Sequence, residues 1–235
     1  MKKILALVIA LALLLPMSCA KKEKDGLSAL VPVNTQIYVK IASLTSLHKN
    51  LNITENSIMG KTLPNMAFIE AGLGFNPLIL EDLQAQGIDV NSSIGMILSD
   101  IDINSIENKE PDINAQGMLL FPVSDYEKFI GFIQDTIQKI KPDYEVFQEN
   151  DRTIINQGNG KESILLAPIK NYMAVTVTKS ENGSSSILDS VLSGDSTLSE
   201  NANFKQVSSK LDNEYGLFIY VDIQSIIGKF FPKPG

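Results

Sequence analysis

The chain has no tryptophan, one histidine, one cysteine and one arginine among its 235 residues, and each scarcity removes a class of chemistry. With only His48 there can be no multi-histidine metal centre, and one imidazole is left as a general base. A single thiol, at Cys19, cannot close an internal disulfide, so the fold must stand without covalent staples. Arg152 alone supplies the planar bidentate fork that reads phosphate best. The balance of 20 basic against 27 acidic side chains gives a net charge of −7. Removing residues 1–18, which carry Lys2 and Lys3 and no acid, leaves 18 basic against 27 acidic, or −9. An acidic chain with one arginine lacks the basic patch that nucleic acid requires, so no nucleic-acid partner is expected. Nucleophile signatures are missing too, since no Gly-x-Ser-x-Gly stretch occurs.

What the chain does have is an apolar start. Lys2 and Lys3 precede an unbroken apolar run from Ile4 to Leu15, followed by Leu15-Pro16-Met17-Ser18-Cys19. A basic opening, an apolar stretch too short for a bilayer core of about 30 Å and small residues after it make the layout of a secretory signal. The junction resembles the lipobox of bacterial lipoproteins, in which the cysteine after the small residues receives diacylglycerol and becomes the new N-terminus. That resemblance implies residues 1–18 as signal peptide, Cys19 as the lipidation site, and a body held at a cell-envelope membrane after export. Ordinary cleavage at Ser18-Cys19-Ala20, releasing a chain that begins at Lys21, is the rival reading. The polar, patternless residues 21–26 read as a tether within residues 19–29.

Beyond the tether, β-branched and aromatic residues from Gln36 to Ile41 predict a strand, with Ser43 as N-cap of a following helix. Leu78–Gln86 predicts a short helix closed by Gly87, and Ile94–Ile103 a strand. Met118–Val123 predicts another strand, after which Ser124 and Glu127 have capping-box spacing. Tyr126, Phe129, Ile130, Ile133, Ile137 and Ile140 then fall on one helical face before Pro142. Tyr144–Gln148, Thr153–Gln157, Ser163–Ala167 and Tyr172–Thr178 read as consecutive strands, with Gly158-Asn159-Gly160 a turn. Ile187–Leu192 and Phe204–Leu211 read as short helices. This order predicts an α+β fold, an antiparallel sheet with helices packed mainly on one face.

The strand-to-helix pattern comes back near the end. Ile219-Tyr220-Val221-Asp222-Ile223-Gln224-Ser225-Ile226 matches Ile37 to Leu44 nearly position for position. Two readings stand: two junctions alike because propensity and capping restrict the choices, or the first unit of a duplicated architecture. On the second, residues 30–213 form the domain, and residues 214–235 its closing strand and the start of a truncated second repeat. Phe230-Phe231-Pro232-Lys233-Pro234-Gly235 is a poor domain end on either.

Three segments carry a likeness to a known group: Leu30-Val31-Pro32-Val33-Asn34-Thr35-Gln36-Ile37-Tyr38-Val39, Gly87-Ile88-Asp89, and Phe121-Pro122-Val123-Ser124-Asp125. With their spacing over residues 27–226, the chain resembles an uncharacterised family of exported bacterial proteins, a domain of unknown function. The resemblance implies an exported α+β body, often in two copies, and brings no activity and no catalytic residue.

Other constellations are weak. Gly60-Lys61-Thr62 mimics the end of a phosphate loop, but Glu55 stands where the earlier glycine belongs. Asp100-Ile101-Asp102-Ile103-Asn104 opens like a calcium loop, yet Ser105 replaces the turn glycine and Pro111 the bidentate glutamate. With Glu107, Glu110 and Asp112 nearby, a solvated acidic loop is the plainer reading. His48 is read as structural, at a helix C-terminus that favours a cation. No cofactor, metal or catalytic residue is therefore expected. The leading expectation is a non-enzymatic envelope lipoprotein, anchored to membrane through its N-terminal lipid and binding or scaffolding an envelope protein partner. The alternative is a carrier of an apolar ligand or lipid, and an envelope hydrolase ranks third.

Overall fold

Ile37 to Ile41 combines β-branched and aromatic side chains that pack on a pleated surface, and it forms β1 (Ile37–Ile41) near the edge of one large sheet. The computed structural model describes residues 26–50, 79–104, 112–140, 143–157, 162–178, 185–208 and 216–230. After β1 come α1 (Leu44–Asn50), α2 (Leu80–Ala85), β2 (Ile94–Asn104), β3 (Asp112–Pro122), α3 (Tyr126–Ile140) and β4 (Tyr144–Glu149). Then follow β5 (Arg152–Gln157), β6 (Ser163–Ile169), β7 (Tyr172–Thr178), α4 (Ser186–Ser193), a 3-10 turn (Leu198–Glu200), α5 (Ala202–Ser208), β8 (Leu217–Val221) and α6 (Ile223–Phe230). The strands make one eight-stranded sheet in the order β4-β5-β6-β7-β3-β2-β1-β8, every described pair antiparallel. The fold is α+β.

Register follows the alternation of side chains. Tyr220, Tyr38, Ile97, Met118, Thr176, Leu165 and Ile154 lie opposite one another, strand to strand, in a single row on one face. All are buried, and each large apolar member contributes about 1.5–3 kcal/mol on leaving water. Leu27, Leu30 and Val31, together with Ile187, Leu188 and Val191 of α4, Leu198 and Phe204 of α5, close over this face. Gly95 is small because Leu27 sits on it, and a Cβ there would lie 3.1 Å from Leu27 Cδ2.

The opposite face has its own core. Ile155, Leu166 and Met173 pack with Leu83 of α2, Ile88, Val90, Val123 and Phe129 of α3, and Ile133 and Ile137 border them. Helices therefore cover both faces, where the sequence reading set them mainly on one. The physical reason is visible in β6 and β7: Leu165 and Leu166 are both buried, as are Met173 and Ala174, so neither face of these strands is wet.

Local chemistry fixes the connections. Glu149 pairs with Arg152 across a two-residue turn in which Asn150 and Asp151 have φ of 49° and 61°, the geometry of a type I′ hairpin. Gly87 ends α2 with φ of 82°, and a Cβ there would meet the Asp125 carbonyl at 2.3 Å. Its carbonyl accepts the Ser124 N–H at 2.8 Å, which ties the end of α2 to the start of α3. The Ser124–Glu127 pair does not take the capping-box positions, and a simple N-cap stands one residue later. Asp125, not Ser124, precedes α3, and its Oδ1 accepts the Lys128 N–H at 3.2 Å. Ser43 caps α1 as expected, its Oγ accepting the Ser46 N–H at 3.0 Å. After β8 the cap is Asp222, whose Oδ1 accepts the Ser225 N–H at 3.1 Å. The second junction thus turns helical three residues earlier than its sequence likeness to the first suggests.

Candidate interaction surface

The two edges of the sheet differ in chemistry. β4 carries Glu145 and Glu149 along an edge, with Asp143 and Asp151 just beyond its ends, and such charges discourage a further strand. Among the described residues the strand at the other edge is β8, which reads Leu-Phe-Ile-Tyr-Val with no charge and no proline. On one of its faces Phe218 and Tyr220 turn into the core, where Phe204 meets Tyr220 edge-on at 5.2 Å and Phe218 at 5.9 Å between ring centroids. On the other face Ile219 is 50% exposed and Val221 41%, and Ile223 at the start of α6 is 60% exposed. Burial raises the Tyr220 hydroxyl above its ordinary value of 10.0, and the charge of Asp222 adds to the shift. Tyr220 stays a neutral anchor at physiological pH.

A second feature is a shallow polar notch lined by Pro32, Asn34, Ser99, Asp100, Ser186 and Ser190, about 190 Å³ including open solvent. It lies where the β2–β3 register shifts between Ser99 and Asp102, a β-bulge in which Asp100 takes a φ of 51°. Gln36 braces the bulge, since its side-chain oxygen accepts the Ile101 N–H at 2.7 Å. Gln116 closes the other side by accepting the Ile187 N–H at 3.2 Å and the Ser186 hydroxyl at 2.8 Å. The Ser99 hydroxyl, 2% exposed, has no hydrogen-bond partner among the described residues. A notch this small and polar offers no room for an acyl chain.

The residues singled out from sequence are not brought together. Cys19, the leader and the tether lie outside the described residues, as do Gly60-Lys61-Thr62, Glu107 and Glu110. The stretch Asp100 to Asn104 is the end of β2, as the strand expected over Ile94–Ile103 requires and unlike the calcium-loop or acidic-loop alternatives, and Asp112 begins β3 beside it. Alternating Ile101 and Ile103 decide this, because strand pairing with β3 satisfies the backbone that a loop would leave to water. His48 sits in the last turn of α1 beside Lys49, half-buried. Among the described residues no group of three or more histidine, cysteine or carboxylate side chains could hold a metal ion. Arg152 is held by Asp189 of α4, its guanidinium 2.8 Å from the carboxylate. Sequence reasoning did not single out Gln36, Gln116 or the β8 edge. Only the absence of charge from Leu217 to Val221 could have pointed to the last.

Comparison with protein-family models, with curated proteins and with solved structures finds no match to this chain. No described helix is long and apolar enough to cross a membrane.

Proposed function

We propose that this chain is an exported envelope lipoprotein, moored through acyl chains on Cys19, that works as a non-enzymatic binding or scaffolding module. The observation that carries the binding role is the contrast between the sheet edges. Glu145 and Glu149 guard β4, whereas β8 presents Ile219 and Val221 to solvent beside an apolar Ile223. Apolar groups grouped at one end of a sheet lose water contact when a protein covers them, at about 25 cal/mol per Å². Mooring rests on the sequence of residues 1–19 and on acyl-chain arithmetic, since one chain anchors weakly and two or three anchor stably.

The test is a photo-reactive side chain in place of Ile223 in the full-length chain, irradiated in intact cells. A single envelope protein captured in the membrane fraction is the expected result. Capture of a random collection, equal to that from a probe at the exposed Lys128, would overturn the reading.

A further inference from the structure

Every second residue of β8 turns its backbone away from the sheet. The Asp222 N–H donates to the Gln36 carbonyl at 2.8 Å and the Ala42 N–H to the Gly216 carbonyl at 2.9 Å, with Tyr220 opposite Tyr38 between these two bonds. Alternation along an antiparallel ladder therefore points the N–H and C=O groups of Phe218 and Tyr220 toward β1, and those of Leu217, Ile219 and Val221 outward. Among the described residues no strand lies on that outer side. The side chains of Leu217, Ile219 and Val221 also share one face of the sheet, with Ile41, Val39 and Ile37 of β1 as their neighbours.

We propose that β8 pairs antiparallel with β8 of a second copy of this chain, about a two-fold axis that passes between Ile219 and its counterpart. This rests on the binding role given to this end of the sheet and names its partner.

The strand is complementary to itself in that register. Ile219 lies opposite its own counterpart and Leu217 opposite that of Val221, so all three outward N–H groups of each strand meet outward carbonyls. A register slid by two residues leaves one outward position of each strand unmatched within β8. A two-fold axis normal to the sheet keeps the faces in line, and the exposed Ile219 and Val221 then meet apolar counterparts on the same side. Asp222 falls opposite the counterpart of Gly216, so no like charges face each other. The same operation at the other edge, centred on Phe147 of β4, would set Glu145 opposite Glu149 and is opposed by charge. Self-pairing is thus specific to one end, and an isologous contact of this kind closes at two copies. Five residues span only about 17 Å, so the pair forms reversibly and its extent follows concentration.

The experiment uses the full chain in detergent, with micelles in excess over protein. Mass by light scattering and amide hydrogen exchange are followed as protein concentration rises about a hundredfold. The expected result is a shift from one copy to two, with exchange at Ile219 and Val221 slowing by at least about tenfold while Phe218 and Tyr220, which already face β1, change little. Ile219→Lys and Ile219→Glu each set a charge against its own copy and are expected to stay single, whereas an equimolar mixture of the two is expected to pair again. That rescue reads the register at Ile219 and cannot come from a folding defect. A parent chain that stays single at every concentration overturns the proposal. So does a pair whose β8 exchange is unchanged, or a mixture that pairs no better than either variant alone. A different envelope protein captured at Ile223 by a chain that stays single would remove this proposal and leave the binding role intact.

Discussion

Tyr38 and Tyr220 stand directly opposite each other in the β1–β8 ladder, both buried, and Phe204 of α5 packs against both rings, 6.2 Å and 5.2 Å away between centroids. One aromatic on a two-turn helix therefore clamps the outermost strand to its neighbour. The clamp matters because a five-residue edge strand has few ladder bonds of its own to hold it.

Phe204→Ala is expected to cost about 3–5 kcal/mol, the usual range for emptying a buried aromatic site. Urea unfolding measures the loss, and hydrogen exchange is expected to show β8 opening first. A variant in which β8 keeps its protection would place the clamp elsewhere.

Gly87→Ala meets two obstacles, a left-handed φ and a carbonyl 2.3 Å from the new Cβ. The left-handed backbone alone costs about 1–3 kcal/mol, and the clash with Asp125 adds to it by prising α2 from α3. A melting temperature within a degree of the parent chain would contradict this.

Asp100 occupies the bulge of β2 with a left-handed φ of 51°. Asp100→Gly is expected to leave stability unchanged or slightly raised, while Asp100→Val should lower it by about 1–2 kcal/mol. Chemical denaturation of the two variants side by side gives the comparison. Equal effects would show that the side chain, and not the backbone, sets the preference.

Asp125 has its carboxyl held below the ordinary value of 3.8, chiefly by the Lys128 backbone N–H; desolvation opposes this, and the Lys128 side chain adds to the lowering. A carboxylate with a lowered folded-state pKa adds stability that is present above its unfolded value and fades as pH falls through the folded one. The start of α3 should therefore loosen below about pH 4, and Asp125→Ala should remove that part of the acid dependence. Amide exchange at Lys128 across pH 2 to 6 reads it, and identical profiles for the two chains would refute the cap.

Cys19→Ser tests the mooring. The parent chain is expected in the membrane fraction with a mass raised by acyl chains, and the variant without that added mass. An unmodified sulfur on parent protein from the aqueous fraction would end the lipoprotein reading.

Much of this fold was legible from residue patterns. The meander β4 to β7 was legible as four consecutive short strand-forming runs, α3 from its helical spacing, and the stop at Gly87 from glycine alone, because each is set by neighbours within a few residues. The placement of helices on both faces was less legible, although Ile164-Leu165-Leu166-Ala167 and Tyr172-Met173-Ala174-Val175 hold the signal as apolar runs without alternation. The β3–β7 and β1–β8 pairings, between strands far apart in sequence, depend on which faces pack together and leave no local trace. For the same reason the Gln36 brace stayed hidden, since its partner Ile101 lies 65 residues away. The repeated Ile-Tyr-Val was visible at once, whereas the pairing of its two copies, far apart in sequence, was not.

The unequal ends of the sheet also limit how large any assembly can grow. A body that was sticky at both flanks could add copies without stopping, as a fibre does, whereas glutamates at one flank let growth proceed in a single direction and then terminate. Units joined at the uncharged flank would present an acidic margin outward at each finish, where a further strand is discouraged.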